Sequence, residues 1–62
     1  MFQTLVIETA VRGIRDELER AAANTQGLAM LFEDGRTREL LMELSSQMTT
    51  LSLELKKIEK EL

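Results

Sequence analysis

Apolar or small residues recur along nearly the whole chain at alternating intervals of three and four positions. The first run comprises Thr4, Ile7, Val11, Ile14, Leu18, Ala21, Thr25, Leu28 and Phe32, and the second comprises Thr37, Leu41, Leu44, Met48, Leu51, Leu55, Ile58 and Leu62. Such spacing is the heptad repeat of helices that pack along an apolar seam. The absence of proline agrees with this interpretation. The sequence therefore predicts an all-α fold built from two long amphipathic helices.

A turn-like stretch separates the two runs. Gly35 suits the left-handed position that follows a helix end, and Asp34 or Thr37 can accept backbone N–H bonds at the start of the next helix. We expect the helices at about residues 2–33 and 37–61. Because the connection is short, they should be antiparallel neighbours, forming a two-helix hairpin.

The first helix has one alternative description. Glycine costs a helix about 1 kcal/mol relative to alanine, so the segment Asn24–Gly27 is a candidate break. The heptad spacing passes through this segment without a phase shift, which favours a continuous helix. Folding about the turn also pairs charges across the hairpin, and we expect Arg12 to meet Glu59 and Arg15 to meet Glu54.

The size of the chain predicts a single domain, residues 1–62, that needs a partner. A domain of 62 residues buries only about 60% of its unfolded surface. The chain contains no cysteine and no histidine, so neither a disulfide nor a zinc site can stabilise it. We therefore expect a homodimer in which two hairpins form a four-helix bundle or coiled coil. Heptads alone do not separate a dimer from a higher oligomer, nor do they fix the bundle topology.

Uncharged residues surround the middle of the predicted hairpin, since the segments 21–32 and 44–53 contain no charge and overlap when the chain folds back. Neutral surfaces avoid the desolvation penalty of buried charge, so we expect this region and the apolar start of the chain to contact protein. The alternatives are solvated serine and threonine residues and a frayed amino terminus. The candidate protein-interaction residues are Phe2, Leu5, Val6, Met30, Met42, Ser46, Thr49 and Leu53.

The residues needed for catalysis are scarce. Without His, Cys, Tyr or Trp, most nucleophiles and general bases are missing. Glu39 and Glu43, like Asp16 and Glu19, have helical spacing, but bundle metal sites combine such carboxylates with histidines. We predict no enzyme activity, no catalytic residue, no cofactor and no metal. The predicted function is a small non-enzymatic interaction module acting as regulator, adaptor, chaperone or inhibitor.

Nucleic-acid binding is the alternative function, with Arg12, Arg15, Arg36 and Arg38 as its candidate residues. The net charge of −3 and the interleaved acidic residues argue against it. The short dimerising hairpin nevertheless resembles, in architecture, the plasmid RNA-binding proteins of the repressor-of-primer type, which implies an RNA- or DNA-binding four-helix bundle. The absence of cysteine fits a reducing compartment, and we expect a cytoplasmic protein. The net negative charge and the lack of a long apolar segment predict no membrane contact.

The segment Leu44-Ser45-Ser46-Gln47-Met48-Thr49 is similar to a signature of small sporulation phosphatases, which are also helical hairpins. Their signature reads roughly Leu-Ser-Gln-Glu-Leu-Asp and begins near the start of the second helix. The resemblance covers about eight residues and implies a phosphatase-like regulator of response regulators. Thr49 occupies the position of the family's functional aspartate.

Overall fold

The computed structural model describes the backbone of residues 2–62 and the side chains of residues 3–62. It contains two helices, α1 (Phe2–Ala29) and α2 (Arg36–Glu61), and no strand within these residues. The helices pack against each other as an antiparallel hairpin in a rod of 50 × 15 × 10 Å. The predicted all-helical hairpin is confirmed.

Helix α1 is continuous but shorter than predicted. The continuity favoured by the heptad spacing is confirmed, because the helix passes through Asn24–Gly27 and the alternative break does not occur. The predicted end at residue 33 is wrong, because α1 ends at Ala29. Beyond it the backbone tightens: the N–H of Leu31 donates to the carbonyl of Leu28 at 3.0 Å, and that of Phe32 donates to Ala29 at 3.2 Å. These bonds span three residues instead of four and close the helix.

Helix α2 begins without the predicted capping. Gly35 precedes it in an extended conformation, with φ 159° and ψ −169°, and not in the left-handed helical one. No side chain caps the helix; the first bond runs from the N–H of Glu39 to the carbonyl of Gly35 at 3.1 Å. Asp34 instead accepts a hydrogen bond from the guanidinium of Arg38 at 2.9 Å. The carboxylate thus ties the loop to the first turn of α2 through a charged side chain.

The hairpin seam, meaning the line along which α1 and α2 pack, follows a heptad that differs in part from the predicted one. Its residues, all buried or half-buried, are Glu8, Val11, Arg15, Leu18, Ala22, Thr25 and Ala29 on α1, and Arg38, Leu41, Ser45, Met48, Ser52, Leu55 and Glu59 on α2; Asp16 and Ala21 are half-buried beside it. Seven of the 17 predicted seam positions are half-buried and confirmed: Val11, Leu18, Ala21, Thr25, Leu41, Met48 and Leu55. The other ten are wrong because they are exposed, and six of these ten, all large, are 45–50% exposed: Ile7, Ile14, Leu28, Leu44, Leu51 and Ile58.

At these positions the seam passes through the next residue along the chain, and small residues explain this shift. The four most buried residues are Ala22, Ala29, Ser45 and Ser52, between 0% and 7% exposed. The hydroxyl of Ser45 donates to the carbonyl of Ala22 across the seam at 2.8 Å. Because serine has a very short side chain, this bond requires the two helix backbones to lie close together. Small side chains therefore define the seam, and the larger neighbouring residues remain beside it.

Candidate interaction surfaces

The two long sides of the hairpin differ in chemistry. The positions that directly follow Val11, Leu18 and Thr25 on α1 and Leu41, Met48 and Leu55 on α2 share one side, as shown by Glu19 and Lys56, whose charged atoms lie 3.6 Å apart. We call this side the polar face; it comprises Arg12, Glu19 and Gln26 on α1 and Met42, Thr49 and Lys56 on α2. The remaining seam residues are Glu8, Arg15, Ala22 and Ala29 on α1 and Arg38, Ser45, Ser52 and Glu59 on α2. The positions that directly precede them must then lie on the opposite side of the hairpin.

That opposite side, which we call the apolar face, consists of Ile7, Ile14, Ala21 and Leu28 on α1 and Thr37, Leu44, Leu51 and Ile58 on α2. None of these residues is charged, and Thr37, at the loop end, is the one polar member. Within the described chain they lie beside a seam whose buried residues are only alanine and serine, so the free hairpin has no enclosed core of large side chains. The apolar face is therefore the strongest candidate for an interface.

Sequence reasoning missed the apolar face as a surface because it assigned these residues to the intramolecular seam. The residues that distinguish the seam from the apolar face directly follow the large residues in the sequence. Ala22, Ala29, Ser45 and Ser52 repeat at intervals of seven residues on each helix. Such a repeat of small residues permits a second, closer seam beside the stripe of large ones.

Four of the predicted interaction residues form a stripe on α2. Met42, Ser46, Thr49 and Leu53 follow each other at intervals of four, three and four, and all are exposed. Thr49 and Leu53 line a shallow groove on the polar-face side of the hairpin, together with Ala23 and the ion pair of Glu19 and Lys56. We call these four residues the α2 stripe. It is uncharged and points away from the apolar face.

The remaining predicted interaction residues lie at the two ends of the rod. Leu5 and Val6, which are 61% and 53% exposed, belong to the first turns of α1. Met30, 60% exposed, lies in the loop at the other end, and its sulfur accepts a hydrogen bond from Arg38 at 3.2 Å. The side chain of Phe2 lies outside the described residues. The structure therefore separates the predicted interaction residues into three groups.

A charge cluster joins the helices near the open end of the hairpin. Arg12 meets Glu59 at 3.3 Å, which confirms one predicted pair. Arg15 was expected to meet Glu54 and instead meets Glu59 at 2.6 Å. The hydrogen bond to Asp16 and the negative charge of Glu59 raise the pKa of Arg15, although burial opposes this. Arg15 therefore stays cationic, and its pair with Glu59 aligns the two helices.

The other two candidate arginines lie at the loop end. Arg36 begins α2, and Arg38 binds Asp34. About 20 residues of helical rise, or ~30 Å, separate this end from Arg12 and Arg15. The four arginines thus form two separate groups, and three of them are paired with carboxylates. This arrangement does not form one continuous basic surface.

The segment that resembles the phosphatase signature lies in the middle of α2. Its Ser45 is buried in the seam, and the hydroxyl of Thr49 donates to the carbonyl of Ser45 at 3.1 Å. Among the described residues there is no group of three or more candidate metal ligands. Nor does either helix, as far as it is described, have the length and hydropathy needed to cross a membrane.

Comparisons with known protein families, curated proteins and solved structures give no match to the chain. Its function must therefore be inferred from the chemistry of the two faces.

Proposed function

We propose that the chain is a non-enzymatic protein-interaction module that works as a homodimeric four-helix bundle in the cytoplasm. Two hairpins pack through their apolar faces, and the assembled bundle presents its outer helical surface to another protein as a regulator or adaptor. The cysteine-free sequence fits a reducing compartment. The observation that carries the proposal is the uninterrupted apolar face beside a seam of small residues.

The exposure of the apolar face supports the dimer. Each of its six large residues keeps about half of its side chain accessible. Covering the exposed half of an isoleucine or leucine is worth about 1 kcal/mol. A second copy covers all six residues and has its own six covered in return, which is the self-complementarity of a two-fold interface.

The position of the α2 stripe supports a further protein partner. Met42, Ser46, Thr49 and Leu53 lie away from the apolar face, so dimerisation leaves them accessible. The stripe combines Met42 and Leu53 with neutral hydroxyl groups and carries no charge of its own, which lowers the desolvation cost of covering it. Methionine also adapts its shape to different partners. The bundle core and the partner surface therefore use different residues.

The test of the dimer is the solution mass measured by light scattering over a range of concentrations, with helicity followed by circular dichroism. We expect a highly helical dimer. Leu51→Glu places two charges in the proposed interface and should weaken dimerisation at least 100-fold, whereas Thr50→Glu, on the outer side of α2, should leave the mass unchanged. If both variants remain dimeric, the apolar face is not the interface.

The partner surface is tested separately. Immobilised protein carrying Met42→Glu and Leu53→Glu should lose the proteins that the unchanged chain retains, while its mass stays that of the dimer. Loss of the dimer in this double variant would instead place the α2 stripe in the self-association interface. Equal retention of all partners would remove the stripe as a binding surface.

A further inference from the structure

The outside of α2 carries its charges in a fixed order. Exposed residues on the side away from the seam recur at alternating intervals of three and four, which forms a heptad row. We call this the outer row; it comprises Arg36, Glu39, Glu43, Ser46, Thr50, Leu53, Lys57 and Lys60. After Arg36, at the first position of the helix, the row runs from two carboxylates through three uncharged residues to two ammonium groups.

The four charges at the two ends of this order are unpaired within the hairpin. Glu39, Glu43, Lys57 and Lys60 are exposed and form no ion pair among the described residues. By contrast, the charged residues of α2 that lie on or beside the seam each have an ion-pair partner. The four outer charges therefore remain available to a charged surface outside the hairpin.

The helix dipole explains only part of this order. An acidic residue near the start of a helix and a basic residue near its end are stabilising, but the effect is confined to the first and last turns. Glu39 and Lys60 lie in those turns, whereas Glu43 and Lys57 do not. The second carboxylate and the second ammonium group thus need another reason.

The outer surface of α1 shows no comparable order. At the corresponding positions its charged residues are Asp16 and Arg20, which are four residues apart. Opposite charges at this spacing lie on adjacent turns and offset each other locally. The separated charges therefore distinguish α2 from α1.

The acidic and basic ends of the outer row are symmetric about Thr50. Glu43 and Lys57 each lie seven residues from it, and Glu39 and Lys60 lie eleven and ten residues from it. A second α2 turned end over end about Thr50 places its lysines over the glutamates of the first, at both ends of the contact. The charges themselves thus fix the centre of a two-fold contact between two α2 helices.

The parallel alignment is disfavoured by the same four residues. If both α2 helices run in the same direction, glutamates lie over glutamates and lysines over lysines. Facing like charges repel each other, whereas the reversed alignment brings opposite charges together four times.

At the middle of the reversed contact a large residue meets a small one. Ser46 lies four residues before Thr50 and Leu53 three residues after it, so the second copy's Leu53 approaches Ser46. None of these three residues is charged, which lowers the cost of covering them. Leu53 is the one large apolar residue that each copy contributes to the outer row. We therefore expect this contact to be weaker than the one between apolar faces.

The other exposed charges of α2 do not oppose the reversed alignment. Glu54 and Glu61 lie further round the helix, toward the apolar face. On reversal Glu54 comes near the second copy's Gln47, which is an uncharged amide. Arg36 extends past the second copy's Lys60 toward its Glu61.

We infer that α2 of one bundle binds α2 of another bundle, antiparallel, through the outer row. This contact goes beyond the proposed function, and it uses no residue of the apolar face, so it does not depend on the proposed dimer. It covers Ser46 and Leu53, which also belong to the α2 stripe. Bundles that associate in this way therefore cannot bind a further protein through the stripe at the same time.

The first test is the mass at protein concentrations above those at which the dimer is complete. Light scattering at low salt should show the mass rising beyond that of the dimer. In about 1 M salt, where the Debye length is about 3 Å, the mass should return to that of the dimer, because exposed ion pairs are screened. Thr50→Glu places two carboxylates at the centre of the contact and should likewise hold the mass at the dimer.

The outcomes separate this inference from the proposed dimer. A mass that stays at the dimer at every concentration and at low salt overturns the inference and leaves the dimer standing. Conversely, a dimer that Leu51→Glu leaves intact and Glu43→Lys dissociates would support the outer row and overturn the apolar face as the interface.

Charge reversal identifies the residues that meet. Glu43→Lys faces the second copy's Lys57 with a like charge at two places and should weaken the association of dimers about tenfold; Lys57→Glu should do the same. The double variant restores opposite charges at both places and should associate as the unchanged chain does. Arg20→Glu, on the outside of α1, is the matched control and should have no effect. If the double variant associates no better than the single ones, these residues do not meet and the inference is wrong.

Discussion

The hairpin seam and the apolar face run side by side along the same rod, yet the most buried positions of the seam carry small residues and the apolar face carries large ones. At the seam the fully enclosed positions are alanine and serine, whereas the apolar face carries isoleucine and leucine that are 45–50% exposed. Close approach of the backbones at the seam needs small side chains, and a large contact area needs big ones. The comparison indicates that the residues that close the hairpin and the large residues left exposed beside them are separate sets, as the proposed dimer requires.

The largest expected effect comes from enlarging a seam residue. Ala22 is 6% exposed and lies where Ser45 approaches its carbonyl. Ala22→Leu forces the helices apart and should lower the free energy of unfolding by about 3 kcal/mol. Denaturant unfolding at a fixed protein concentration measures this loss. Ala23→Leu makes the same change at the exposed neighbouring position and should be nearly neutral; equal effects would show that the seam is not closely packed.

A smaller effect should distinguish the apolar face from the seam by its dependence on concentration. Leu51→Ala should cost about 2 kcal/mol per chain where the protein is dimeric, because a buried leucine is truncated there. The cost should fall on dilution, since the free hairpin leaves this residue 49% exposed. Leu53→Ala is the matched control, with a residue that is 51% exposed and faces away. Its small cost should not change with concentration.

The smallest effect concerns the hydrogen bond between the two helices. Ser45→Ala and Ser46→Ala both raise helix propensity by the same amount, but only Ser45 donates across the seam, to Ala22. The two variants should therefore differ by about 1 kcal/mol in the free energy of unfolding, with the Ser45 variant less stable. Thermal unfolding followed by circular dichroism is sufficient to compare them. A difference of zero would mean that close packing holds the seam without this bond.

The arginines show a limit of reasoning from sequence at the level of single contacts. The pair of Arg12 with Glu59 followed from the antiparallel alignment alone. Arg15 reaches the same glutamate in place of Glu54, because the shifted seam puts Arg15 and Glu59 on the packing line. A shift of one residue turns a helix position by about 100°, which is enough to change the partner of a long side chain.

The heptad spacing by itself determined that the chain is helical, that two helices fold back on each other, and roughly where they meet, because periodicity and turn chemistry are local properties. It also located the uncharged α2 stripe. What only the tertiary structure decided is which of two adjacent stripes closes the hairpin. Both rows of residues have heptad spacing, so the pattern permits either one. The choice depends on how closely the two helix backbones can approach each other. That distance is set by the small residues Ala22, Ala29, Ser45 and Ser52, which face each other across the seam.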